Sequence, residues 1–381
     1  MRQALYIGAS CVWPLVIIGS LYDNPYQHKN NNKMMPFSML RILSLIYLCL
    51  GLYGCTAMGT QTLPYDVLAK KYTNESSRYV DVNGLTIHYR DEGSGPPLVL
   101  LHGVGSSLHT WDAWVDQLKD QYRIIRMDLP GFGLTGPDTA LNQETAEYMV
   151  GMLDGFVQKL GINRFFLAGN SLGGYYAWNY AAVYPEKLYK VVLVSASGYP
   201  QDMPFWLGLA SFPGIHWITP HVMPRFMLNW TAESAYEHEE VLTDSIKERY
   251  FDMSQRRGNR ESYITHFRQL RAMSDDDTLG AKVKDVLVPT LLMWGEKDEW
   301  IPLDVMRLFH RDLAYSEYVV YEGVGHLPME EVAVQSARDA NNFFMSELQE
   351  VKHHPQETEI KFYDGKFGHS PLISQSQEDK P

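Results

Sequence analysis

From residue 78 to about residue 347 the chain alternates short apolar runs with longer stretches in which apolar residues recur every three or four positions. The runs at 98–101, 123–127, 165–168, 188–194 and 290–294 are bounded by Gly, Pro or Asp, as buried parallel strands are, and 318–321 would be the last of them. Between them, 144–160, 172–184, 303–313 and 330–347 have lengths and spacings suited to helices. Ahead of this series, 79–82 and 85–89 flank Asn83-Gly84, the strongest short hairpin signal available. The alternation predicts an α/β fold, a mostly parallel sheet covered by helices on both faces.

One stretch breaks the rhythm. Residues 199–285 show no strand pattern and carry Phe205, Trp206, Phe212, Trp217, Phe226 and Trp230 among prolines and glycines. A connection of that length between two strands is an inserted subdomain. Both flanking strands belong to the main sheet, so removing the insert should leave a foldable sheet. The charged, proline-containing end, 351–381, reads as a disordered tail.

At the other end, Arg41 precedes an apolar run, 42–54, with a small residue just before Cys55, the layout of a secretory signal and too short to cross a bilayer. Leu52-Tyr53-Gly54-Cys55 resembles the lipobox of bacterial lipoproteins, in which the cysteine is lipidated and becomes the first residue, although Tyr53 stands where small or branched aliphatic residues are usual. The alternative is an uncleaved signal anchor. An earlier apolar stretch, 4–21, is either an anchor of its own or lies upstream of a true start at Met34, Met35 or Met39; the second fits a layout complete from Met34 onward. Residues 1–55 are thus read as a leader and 56–77 as a polar tether between membrane and globular body.

Composition narrows the chemistry. The 45 acidic residues outnumber 33 basic ones and no lysine or arginine run could follow a phosphate backbone, so nucleic acid is not expected as a partner. The three cysteines, Cys11, Cys49 and Cys55, all precede the globular body, which therefore has no thiol for a disulfide, a zinc site or a nucleophile.

Gly169-Asn170-Ser171-Leu172-Gly173 follows one expected strand and opens an expected helix. A strand-to-helix turn that sharp needs glycines where the backbone crowds and leaves the serine exposed and strained. Alone the pattern is a weak signal. Its weight comes from company: His102-Gly103-Val104-Gly105 lies after an earlier strand, where an oxyanion hole would be completed by the N–H groups of Val104 and Leu172. Asp298 follows the strand at 290–294, with Glu296 and Glu299 as rivals, and His326 sits in the glycine-rich Gly323-Val324-Gly325-His326-Leu327-Pro328. The order serine, acid, histidine is the one this elbow requires. His102 is read as holding its loop, and His216, His221 and His266, all in the insert, as possible substrate contacts.

With Asp128-Leu129-Pro130-Gly131-Phe132-Gly133 added, these motifs make 78 to about 347 resemble the α/β-hydrolase superfamily, in its branch with a helical cap inserted after the sixth strand. The resemblance implies a core of 78–198 and 286–350 with 199–285 as the cap. In that branch haloalkane dehalogenases and epoxide hydrolases place aspartate at the elbow, whereas lipases, carboxylesterases and hydrolases of meta-cleavage products keep serine. It implies a triad of Ser171, Asp298 and His326 that needs no metal or cofactor.

The reading from sequence is a serine hydrolase that cleaves carboxylic esters or lipids through an acyl-enzyme, tethered to the cell envelope by a lipidated Cys55, at the outer membrane in a Gram-negative host. Carbon–carbon hydrolysis of meta-cleavage products is the alternative, against which an envelope location argues because such products arise in the cytoplasm. A catalytically silent, tethered binding protein is a third reading. The cap would roof the site with apolar side chains and set acyl selectivity.

Overall fold

The fold is taken from a computed structural model that describes residues 58–138, 145–201, 221–346 and 362–363. The leader, Cys55, most of the tail and 202–220, with Phe205, Trp206, Phe212, His216 and Trp217, lie outside the described residues. Strands β1 (Ser77–Val82) and β2 (Leu85–Gly93) form the expected hairpin, and Asn83 and Gly84 both take positive φ, 54° and 89°, as a two-residue type I′ turn demands. There follow β3 (Pro97–Leu101), β4 (Arg123–Met127), β5 (Phe165–Asn170), β6 (Leu188–Val194), β7 (Thr290–Gly295) and β8 (Ser316–Tyr321). The sheet order is β1-β2-β4-β3-β5-β6-β7-β8, antiparallel in its first two pairings and parallel thereafter. A two-residue strand, β9 (Phe362–Tyr363), joins the far edge from within the stretch read as a disordered tail.

The parallel strands are buried on both faces, which explains their unbroken apolar runs. Alternate residues enter opposite cores: Val99 and Leu101 pack on one side with α3 (Ala146–Lys159), α4 (Leu172–Val183) and α8 (Leu303–Asp312), while Leu98 and Leu100 pack on the other with α2 (Asp112–Leu118) and α10 (Ala333–Met345). Because β4 and β5 lie on opposite sides of β3, the chain reverses its direction of winding there. The crevice beyond the carboxyl ends of β3 and β5 is the topological switch point, where open α/β sheets bind ligands.

Within the insert the described elements are helices: α5 (Arg225–Glu233), α6 (Asp244–Ser254) and α7 (Asn259–Ser274), with 3₁₀ stretches at Glu239–Val241 and Leu279–Asp285. Phe226 and Trp230, two of the insert's aromatics, are largely exposed on α5. The expected helix at 330–347 is broken at Val332 into a short α9 (Pro328–Glu331) and α10.

The stretch expected to be a free tether is docked from Gly59 onward. Leu63 N donates to Gln255 O at 2.7 Å, and Arg260 reaches the carbonyls of Gly59 and Gln61. Next, α1 (Tyr65–Tyr72) seats Leu68 against Leu134 and Met253, and Lys71 bonds Glu248 and Asp252 at 2.5 and 2.7 Å. Among the described residues no helix is long and apolar enough to cross a membrane.

Candidate active site

The elbow is built where the sequence places it. Ser171, between β5 and α4, holds φ 54° and ψ −116°, a conformation that an L-residue keeps only when its surroundings impose it. They do so through close backbone approach. A Cβ at Gly169 would lie 2.3 Å from Gly173 O, and one at Gly173 would lie 2.4 Å from Leu101 O. The turn is pinned by Ser171 N donating to Val194 O at 3.0 Å and by Ser197 N donating to Ser171 O at 3.2 Å.

The loop after β3 closes over the serine. A Cβ on Gly103 would come within 3.1 Å of Ser171 Cβ, so the loop that carries Val104 passes directly beside the nucleophile candidate. Leu172 is the first residue of α4, and the N–H of a first helical residue has no acceptor within its own helix. Of the two residues whose amides were singled out from the sequence, Val104 lies with Ser171 at the cavity wall and Leu172 is buried beside it in the chain. Both nitrogens of His102 are engaged in this frame: Nδ1 bonds Gly103 O at 2.8 Å and Nε2 accepts from Leu129 N at 3.0 Å. Burial lowers its pKa, which keeps the ring neutral for that bridging role.

Asp128 is the anchor of the neighbouring loop. Burial alone would raise its carboxyl, but the hydrogen bond from His88 Nδ1 at 2.7 Å holds it well below the usual carboxylate range. Its oxygens also accept from Leu108 N and Leu134 N at 2.8 Å each. A Cβ at Gly133 would collide with this carboxylate at 2.1 Å, which accounts for the second glycine of that motif.

Asp298, not Glu296 or Glu299, meets the histidine. Its oxygens lie 2.9 and 3.0 Å from His326 Nδ1, and Oδ1 also accepts from the backbone N–H groups of Trp300 and Ile301 at 2.9 Å each. Glu296 turns away to accept from Gly323 N at 3.1 Å, and Glu299 is exposed. With Nδ1 donating to a carboxylate, His326 Nε2 is left as the basic nitrogen. It is buried, makes no hydrogen bond within the described residues, and belongs to the wall of the cavity that contains Ser171. Trp300 stacks on the imidazole with ring centroids 5.2 Å apart.

Two cavities share Ser171, Val104 and Trp300 in their walls. The larger also has His326, Leu228, Tyr236, Tyr250, Tyr263 and Phe267; the smaller has Tyr199, Gln201, Leu270, Met273 and Ile301. Among the described residues neither wall includes a lysine, arginine, aspartate or glutamate. Of the insert's histidines, His266 is buried, with Nδ1 bonding Ser262 O at 2.8 Å, and His221 is exposed; neither belongs to these walls. The sequence reading missed Tyr236 and Tyr250, which only the folded insert brings to the cavity, and Trp300, which enters it from the acid loop.

Residues 98–338 match the alpha/beta hydrolase family, and the chain belongs to it. It is 31% identical over 269 residues to a 2-hydroxy-6-oxononadienedioate/2-hydroxy-6-oxononatrienedioate hydrolase of Paraburkholderia phymatum, covering 66% of this chain and 89% of that one. A meta-cleavage product hydrolase from Pseudomonas fluorescens superposes with a TM-score of 0.62 at 24% identity, covering 70% of this chain and 97% of that one. A bacterial membrane phospholipase A superposes with a TM-score of 0.61 at 23% identity, covering 80% and 97%. At those identities the two structures speak for fold alone. The chain is therefore a hydrolase of the α/β type, and the name of its curated relative backs the carbon–carbon alternative better than ester cleavage.

Proposed function

We propose that Ser171 attacks an acyl carbonyl while His326 Nε2 takes its proton, with Asp298 stabilising the imidazolium and the N–H groups of Val104 and Leu172 bonding the oxyanion. His326 then returns the proton to the leaving group, and water hydrolyses the acyl-enzyme by the same route. The cycle draws on the chain's own groups throughout.

For the substrate we favour a neutral carboxylic ester with apolar substituents. The observation that carries this choice is the absence of cationic side chains from the described walls on both sides of Ser171. The undescribed part of the insert, 202–220, has no lysine or arginine either. A carboxylate enclosed there would be desolvated without a counter-charge, at a cost of several kcal/mol. Carbon–carbon hydrolysis is the second reading, supported by the 31% identical relative, whose name describes a dicarboxylate substrate. The two separate in kinetics. A short p-nitrophenyl ester should exceed a 2-hydroxy-6-oxo-dienoate in kcat/KM by about 100-fold or more, equivalent to roughly 2.7 kcal/mol; the opposite ranking would establish the second reading.

The proposal also places the enzyme at a membrane through Cys55, on the signal-like layout of 41–55. Cys55→Ser should release the protein from membranes or block its processing. Unchanged mass and membrane retention in that variant would rule the anchor out.

A further inference from the structure

His326 is held by Asp298 on its ring and by the insert on its backbone. Its N–H donates to Ala235 O at 2.9 Å. One residue earlier, Gly325 N donates to Glu331 Oε1 at 3.0 Å, while Oε2 of the same buried carboxylate accepts from Glu237 N and His238 N at 2.9 Å each. The fit leaves no slack, since a Cβ on Gly325 would lie 2.8 Å from Ala235 O and 3.0 Å from Glu237 N. Trp300 repeats the connection from the other loop: its ring stacks on His326, and its Nε1 donates to both the carbonyl and the hydroxyl of Ser234 at 3.1 Å. Residues 234–238, between α5 and α6, thus contact both loops that carry the acid and the base.

We propose that Glu331 is a positioning residue that clamps the insert segment 234–238 to the histidine loop, so that alignment of His326 on Ser171 requires a seated insert. The inference rests on the reading of His326 as general base. Hydrogen bonds from N–H groups to a carboxylate are about twice as strong as neutral ones, and one carboxylate bridging three backbone donors fixes two segments in a single geometry. The expectation that the insert is a dispensable selectivity element changes accordingly. Without it the histidine loop loses Ala235 O, and the Glu331 carboxylate loses two of its three donors.

The test is Glu331→Gln in the full chain. Glutamine keeps the length but presents an amide N–H to one set of backbone donors, which opens one end of the clamp. Misplacement of a catalytic group by about 1 Å can cost 10²-fold in rate, so kcat for the p-nitrophenyl ester should fall by about 10- to 100-fold with KM within about twofold. The far-downfield proton resonance of the His326 Nδ1–H···Asp298 bond should broaden or shift. A folded variant with wild-type kcat and an unmoved resonance would overturn the proposal, as would a lowered Tm with unchanged kcat, which marks a structural role alone. Should Glu331→Gln fail to fold, Trp300→Phe keeps a ring on His326 and removes the tie to Ser234; a smaller loss in kcat at constant KM supports the clamp, and wild-type kcat overturns it. If Ser171→Ala is inactive while the clamp variants behave as wild type, only this inference falls. Activity in Ser171→Ala would remove the triad reading itself.

Discussion

Ser171→Ala is expected to abolish hydrolysis of a short p-nitrophenyl ester, by about 10⁶ in kcat if loss of a triad serine acts here as it does in serine proteases. Thermal stability should change little. Alanine removes one small hydroxyl from a turn whose geometry is imposed by Gly169, Gly173 and the bonds to Val194 and Ser197, all of which the variant retains. A melting curve beside the assay separates the two effects. A large fall in Tm together with the loss of rate would mean that the serine supports the elbow structurally, which the geometry does not predict.

Asp298→Asn is expected to cost about 10⁴ in kcat, because the wrong imidazole tautomer is then favoured. The surroundings of Asp298 sharpen the expectation. Oδ1 accepts from Trp300 N and Ile301 N, so an asparagine at this site will keep its oxygen on those two donors and turn its NH₂ toward His326 Nδ1. Nδ1 must then accept, the proton moves to Nε2, and the ring can no longer take the proton of Ser171. Glu296→Gln and Glu299→Gln serve as controls, since Glu296 is committed to Gly323 N and Glu299 is exposed. Both should retain most of the wild-type kcat. Loss in either control, with Asp298→Asn active, would move the acid to the rival.

The sheet was legible because each parallel strand is a short apolar run closed by Gly, Pro or Asp, and burial on both faces removes any need for alternation. Arg123–Met127 and Leu188–Val194 coincide with their expected limits, and the other expected strands differ by a few residues at an end. Ser171, Asp298 and His326 were legible for another reason: each lies in a short local motif at the end of a strand, and strand ends are where such sheets gather their sites. What could not be read depends on contacts distant in sequence. Helix α1 buries only Leu68 of its eight residues, so it carries no period, and its docking rests on bonds from Lys71 and Tyr72 to α6, 177 to 181 positions away. Glu331 reads as one more charge beside Glu330, yet it bonds residues 93 and 94 positions earlier. Trp300 follows the acid in sequence as an ordinary aromatic, and only the folded insert supplies the Ser234 carbonyl that fixes its ring. The broken helix at Val332 belongs with these, since helical spacing alone does not show where the chain must bend.

The central claim, that Ser171 is a nucleophile activated by His326, is tested most directly by covalent capture. The full chain is treated with a fluorophosphonate probe, digested, and the modified peptide mapped by mass spectrometry, with Ser171→Ala and His326→Ala in parallel. The account predicts a single adduct on Ser171, absent from Ser171→Ala and formed far more slowly in His326→Ala. An adduct on another residue, or none on the folded wild-type protein, would contradict it.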